Sequence, residues 1–416
     1  MLSPDKLLRK QADPSARSQG RAGVLPVIPD IEQALVSLDD TVWEQMRHEH
    51  LHGREKGRTT FNRYLDPYFK WMPGYTSVIT GWGGHGKSQM FFELLLLQAV
   101  FGEKKSVLWP SENLPAKRFY ERLIHTLTGR PTDRTFANAL SEKEYERAKN
   151  FLKEYIFLVD PPVGMPYTPA HILAYFEASV NKHGAEHCML DPWNKCDHSA
   201  KARMGGDEPY LVHTLGLCTK WSLATGQCLV ITAHPKRENE NMGYGKTRSV
   251  PTGGTISGGQ TWENMAHYLG AVHRPFHHIK GNRQAAFYSH KVKDEEDVAS
   301  VGSIGATGAT DGLPALVPIE WDPITKRYRW GHERWNPLDN PDLAQLWAPP
   351  KPSPTGQLFT AGEQPAAPAP APPAVPDYQP DTLRTAGPSE FDHLPDLPEN
   401  WHPNGRRITS TTPPQS

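Results

Sequence analysis

Cysteine is scarce in this sequence, with four residues in 416, at positions 188, 196, 218 and 228, and no two in CxxC spacing. That scarcity excludes a disulfide-stapled scaffold, and His187 and His198 do not complete a zinc spacing with the nearby thiols. The four thiols are expected to be reduced and mostly buried, as in a cytosolic protein. Charge of one sign is lacking too, since 45 Lys and Arg stand against 46 Asp and Glu. A global positive field is therefore excluded, and any nucleic-acid affinity must come from a local basic lining. Long apolar runs are also missing. The basic start "MLSPDKLLRKQADPSARSQG" has no hydrophobic centre, and the Leu-rich run in "FFELLLLQAV" is too short to cross a bilayer. The expectation is a soluble, cytoplasmic protein with no membrane partner. We find no internal repeat.

What is present is one core's worth of apolar residues, 37% of the chain, with polar ends. Residues 1–26 read as a disordered leader and 27–56 as an amphipathic linker helix, with Ile31, Leu35, Leu38, Val42 and Met46 at helical spacing behind a candidate cap at Asp30. Within 57–336, the β-rich runs "YTSVIT", "SVLWP", "YIFLVD", "HCMLD" and "CLVITAH" alternate with helix-length segments. That alternation predicts a mainly parallel α/β sheet. The closely spaced runs "YLGAVHR", "AAFYSHKV", "LVPIEWD" and "RYRW" read as an antiparallel C-terminal extension of it. Residues 337–416, centred on "QPAAPAPAPPAVP", read as a Pro-rich disordered tail, because such a tract buries too little apolar surface to offset its ordering entropy.

The segment "SVITGWGGHGKSQ" fits G-x-x-x-x-G-K-[ST], directly after an expected strand and before an expected helix. Gly81, Gly83, Gly84, His85, Gly86, Lys87, Ser88 and Gln89 are the candidate nucleotide-binding residues. Glycines let consecutive amides converge on a phosphate, Lys87 reaches the β- and γ-phosphates, and the Ser88 hydroxyl ligates Mg²⁺. The anion expected there is a nucleoside triphosphate, ATP with Mg²⁺. Such a loop needs a metal-holding acid and a water-orienting base at neighbouring strand ends. Asp191 at the end of "HCMLD" is the candidate metal ligand with Ser88, and Glu112 in "VLWPSEN" the candidate catalytic base. A helix or turn cap and a solvated loop glutamate are their bland alternatives. His234, ending "CLVITAH", is a candidate γ-phosphate sensor, in a chain with 19 histidines to draw from.

Taken in order, "TGWGGHGKSQ", "PSENLPAKRFYERL", "MLDPWN", "VITAHP" and "TISGGQTWENMAHYLGAVHR" resemble the RecA-like ATPase domain of DnaB-like and Twinkle-like replicative helicases, from about Gly57 to Trp330. The fold class this implies is an α/β RecA-like P-loop NTPase. The resemblance implies that Lys87, Glu112, Asp191 and His234 act on ATP, and that a neighbouring subunit supplies basic fingers. Lys291 matches the family's lysine, whereas Lys293 falls where an arginine is usual; Arg274 or Arg283 would be the substitutes. His267 likewise stands where the family has an acid. The DNA-contacting loops implied are residues 236–248, with Lys236, Arg237, Lys246 and Arg248, and residues 257–262, with Gly258 and Gly259; Trp262 reads as core. No primase module is expected ahead of Gly57.

The expected activity is thus ATP hydrolysis between the subunits of a homo-oligomeric ring, expected to be a hexamer, that moves on single-stranded DNA and unwinds duplex beside a primase or polymerase. Two alternatives remain open: a RecA-like recombinase or loader that holds DNA without translocating, and a nucleotide-gated DNA-binding module.

Overall fold

The computed structural model describes residues 38–110, 115–161, 164–165, 167–236, 248–305 and 317–343. The chain divides into two compact units, residues 1–55 and 56–416. In the first, helix α1 (Asp40–His52) starts behind Asp39, whose carboxylate accepts a hydrogen bond from the Val42 amide at 2.9 Å. The helix therefore starts nine residues later than a cap at Asp30 would place it, and residues 1–37 lie outside the described part. Trp43, Met46 and Leu51 on α1 are exposed.

The second unit carries β1 (Thr76–Thr80), α2 (Lys87–Phe101), β2 (Lys105–Trp109), α3 (Ala116–Thr128), α4 (Glu142–Tyr155), β3 (Ile156–Leu158), α5 (Pro169–His183), β4 (Ala185–Leu190), α6 (Asp207–Thr225) and β5 (Cys228–Ala233). They are followed by α7 (Gln260–Met265), β6 (Tyr268–His273), β7 (Gln284–Val292), β8 (Gly302–Gly305), β9 (Ile319–Asp322) and β10 (Arg327–Trp330). The strands form one sheet in the order β10-β9-β7-β6-β1-β5-β4-β2-β3, with β8 also on β7. From β6 to β3 every pairing is parallel. One expectation is corrected here: "YLGAVH" belongs to the parallel part, paired with β1, and the antiparallel extension begins only at β7. The reason is burial, since all six residues of β6 are covered on both faces, as a central parallel strand requires.

Alternation along the strands builds one core on each face. Ile79, Leu108, Met189 and Val230 point into the cluster under α2, α3 and α4, whereas Val78, Val107, Cys188 and Leu229 point into the cluster under α5 and α6. Helix α2 is buried on nearly every side, even at Glu93, which is 2% exposed. The Glu93 carboxylate accepts hydrogen bonds from the Tyr328 amide and the Asn336 side chain, and burial pushes its carboxyl up to about 7. The packed chain also runs past the expected boundary at 336, because Leu338 and Leu343 are buried in the main core. All four cysteines are free and buried. No helix among the described residues is long and apolar enough to cross a membrane.

Candidate functional site

Because β1, β5, β4 and β2 are parallel, their C-terminal ends share one edge of the sheet, where open α/β sheets place their ligands. The glycine loop leaves β1 at this edge and Asp191 leaves β4. His234 leaves β5, the strand between them.

The loop's backbone is one that glycine alone tolerates. Gly84 and Gly86 have φ of 78° and 94°, and a Cβ on Gly86 would lie 2.0 Å from the Tyr328 hydroxyl. That hydroxyl donates to the Gly86 carbonyl at 3.1 Å, so β10 braces the start of α2. Lys87 is 4% exposed, and its ammonium donates to the carbonyls of Gly81 at 2.6 Å and Trp82 at 3.3 Å and to His234 Nδ1 at 3.1 Å. Burial holds the Lys87 ammonium down to about 8, against the pull of Asp191. It holds His234 down to about 4, aided by the Lys87 charge, so that imidazole is neutral at pH 7 and accepts the lysine's proton donor.

A pH dependence follows. A triphosphate selects the charged lysine, so affinity is full below the free protein's value of about 8 and falls as pH rises through it. Calorimetric titration of ATP between about pH 7.5 and 9.5 is expected to show a loss approaching about tenfold per pH unit at the alkaline end. An affinity flat across that range would remove Lys87 from the binding site.

Asp191 is buried at 5% exposure, and the β4–β5 register, which sets Leu190 opposite Ile231, places it beside Thr232. The Thr232 hydroxyl donates to Asp191, and the Ser88 side chain also hydrogen-bonds to it. Burial raises the Asp191 carboxyl, while these hydroxyls and Lys87 favour its ionised form. One buried carboxylate beside one hydroxyl, next to a phosphate-shaped loop, is the sparse oxygen set that suits Mg²⁺ shared with substrate phosphates. The structure thus brings Lys87, Ser88, Asp191 and His234 together.

Other sequence-based candidates fall elsewhere. Glu112, Arg237 and Lys246 lie outside the described residues. The Gln89 amide donates to Thr126 Oγ1 and the Lys326 carbonyl, both at 3.1 Å, so its side chain braces α3 and β10 and is turned away from the phosphate loop. His85 is buried and its Nδ1 accepts from the Arg274 amide at 3.0 Å, with its ring stacked on His277. Burial and the neighbouring imidazoles keep it neutral. Lys291 pairs with Leu269 at the start of β6, at the sheet edge opposite Lys87, and its ammonium donates to the carbonyls of Glu263 and Ala266. There it lines a cleft of about 460 Å³ with Thr252, Gln260 and His290. Exposed Lys293 follows it on the same edge, its amide bonded to the His267 carbonyl at 2.9 Å. Neither lysine can reach the phosphate loop of its own chain. His267 fills the place of the missing acid with its ring stacked on Tyr75 and Nδ1 accepting from the Thr76 amide.

On the DNA side, the Lys236 amide bonds the Thr255 carbonyl at 2.8 Å, and Arg248 lies over the Trp82 ring at 5.1 Å. Gly258 is dictated by packing, since a Cβ there would strike Leu211 at 1.9 Å; Gly259 carries φ of 53°. Trp262 is fully buried against Trp193. Sequence reasoning missed Thr232, Tyr328 and Trp82. Thr232 carried a readable signal, a hydroxyl two residues before a functional strand end. Tyr328 gave none, because its contact with Gly86 spans 242 positions.

A glycine loop, a buried lysine and a strand-end aspartate on one edge of this mixed sheet define a RecA-like P-loop ATPase fold. Solved structures bear this out: 72% of the chain matches the solved ATPase domain of a DnaB-like helicase with a TM-score of 0.52 and 14% identity, covering 98% of that chain. It matches a second DnaB-like replicative helicase, solved with its interactions with primase, with the same TM-score, identity and share of this chain, covering 69% of that one. The chain therefore has the ATPase-domain fold of DnaB-like helicases. In sequence, it is 24% identical over 198 residues to the chloroplastic/mitochondrial Twinkle homolog protein of Arabidopsis thaliana, a stretch that is 46% of this chain and 27% of that protein. No protein-family model matches.

Proposed function

We propose that the chain is the motor of a DnaB-like replicative helicase, hydrolysing ATP between subunits of a ring, hexameric in this reading, to travel on single-stranded DNA and part a duplex. The observation that carries the reading is the contact of Lys87 with His234: the phosphate-binding lysine and the root of a basic loop share a hydrogen bond of 3.1 Å. A γ-phosphate would draw the Lys87 ammonium away from His234 and the loop carbonyls, and the chain beyond His234 would respond. Ser88 and Asp191 would hold Mg²⁺, which when bound neutralises charge on the phosphate oxygens. Glu112 would orient the attacking water. Lys236, Arg237, Lys246 and Arg248, with Gly258 and Gly259, would follow the DNA backbone. Lys291 and Lys293 would act on a neighbouring copy's triphosphate, which their place on the opposite edge supports. A primase or polymerase would work alongside.

The test is strand separation on a forked duplex, with ATP and with a non-hydrolysable analogue. The expected result is unwinding with ATP alone. DNA binding and hydrolysis without unwinding would replace the motor with the loader reading. A nucleotide-gated DNA-binding module has one observation in its favour, the engagement of the Lys291 ammonium by carbonyls of its own chain. Hydrolysis that single-stranded DNA fails to stimulate would favour it.

A further inference from the structure

The second position of the phosphate loop is a tryptophan, and its side chain is 3% exposed. A loop that holds phosphate through backbone amides has no use for an indole there. The Trp82 side chain instead reaches the segment that returns from the basic loop. Its Nε1 donates to the Ser249 carbonyl at 2.9 Å, and the Arg248 guanidinium rests over its ring at 5.1 Å. His273, at the end of β6, hydrogen-bonds to the Arg248 backbone. Two residues on, the Pro251 carbonyl accepts from His290 at 3.0 Å, and the bridge between Pro235 and Ile256 closes the base of the loop. The return segment thus has a fixed base and one attachment to the phosphate loop, through Trp82.

We propose that Trp82 is a positioning residue that couples the phosphate loop to the single-strand contact segment. The inference rests on the motor reading above and adds a second connection to the one through His234. Two properties of the indole serve it. The N–H ties Ser249 to the loop backbone, so a loop rearranged around a triphosphate carries the return segment with it. The ring offers Arg248 a partner that a DNA phosphate competes for, so an engaged strand releases Arg248 and frees the phosphate loop. Coupling of this kind is reciprocal, and nucleotide must change DNA affinity by the factor by which DNA changes nucleotide affinity.

The test measures the affinity of the full chain for labelled oligothymidylate by anisotropy, with ADP and with a non-hydrolysable ATP analogue. Wild type, Trp82→Phe and Trp82→Leu are compared. Each protein is its own reference, so a uniform loss of DNA affinity leaves the ratio unmoved. Wild type is expected to give a ratio of about ten, within the usual range of allosteric coupling. Trp82→Leu should bring it close to one. Trp82→Phe, which keeps the ring and loses the donor, should fall between, and a full wild-type ratio in Phe with loss in Leu assigns the coupling to the Arg248 contact. A wild-type ratio kept by both variants overturns the proposal, as does a wild type that binds both ligands with no effect of one on the other. A wild type that binds no oligonucleotide in any nucleotide state removes the motor reading and this inference with it.

Discussion

Replacing Lys87 by alanine is expected to cut ATP turnover at least about a thousandfold, the scale on which charge-stabilising groups act in phosphoryl transfer. The ammonium is buried and sits among the carbonyls of Gly81 and Trp82, with the Ser88–Asp191 pair nearby. A triphosphate entering the loop would meet the one cation that the loop itself supplies. Alanine also strips those carbonyls of their donor, so some stability goes with the activity, about 1–3 kcal/mol for buried acceptors left unpaired. The two effects separate experimentally. Urea unfolding measures the second, while turnover at saturating ATP, under conditions where the variant is folded, measures the first. Folded Lys87→Ala with more than a tenth of wild-type turnover would contradict the assignment.

The largest effect on folding is expected at Arg327, which is 3% exposed. Its guanidinium donates to the carbonyls of Thr126 at 2.7 Å, Leu127 at 2.8 Å and Leu338 at 3.0 Å, and to the Asp339 carboxylate at 2.7 Å. The first two are among the last carbonyls of α3, which have no partner inside the helix. One side chain thus closes a helix end and fastens the 3-10 turn Pro337–Asp339 to the core. Gly129 makes room for it: a Cβ there would lie 3.2 Å from the Arg327 Cζ. Arg327→Ala leaves three buried carbonyls unpaired and should cost about 3–5 kcal/mol by chemical denaturation. Arg327→Lys should recover only part, because an ammonium donates from a single point and cannot span both sides of the fork. A loss under about 1 kcal/mol for the alanine variant would show that water or a neighbouring side chain takes over the carbonyls.

The sheet's parallel core was legible in the sequence, because strands buried on both faces appear as short apolar runs and helices of fixed length separate them. The phosphate loop was legible for a related reason, since its glycines meet a local backbone demand visible within eight residues, Gly81 to Ser88. Pairing between distant strands was not legible. "YLGAVH" has the same composition whether it runs parallel or antiparallel to its neighbour, and its place beside β1 is decided by the whole sheet. Arg327 sits in a run that reads as an edge strand, and its burial depends on carbonyls 200 positions earlier. Leu338 and Leu343 were assigned to the tail because Pro337 and its neighbours share the tail's composition, while the core gap they fill is set elsewhere. Gly258 shows the converse, a glycine readable as a close approach to DNA that packing against Leu211 already requires.

The central claim is that Lys87, Ser88 and Asp191 form one site for a magnesium-bound triphosphate. Calorimetric titration of ATP, with and without Mg²⁺, on wild type and Asp191→Asn tests it most directly. The account predicts that Mg²⁺ tightens ATP binding to wild type, and that Asp191→Asn binds ATP with wild type's metal-free affinity whether or not Mg²⁺ is added. Asp191→Asn retaining the full gain from Mg²⁺, or wild type binding no ATP, would contradict it.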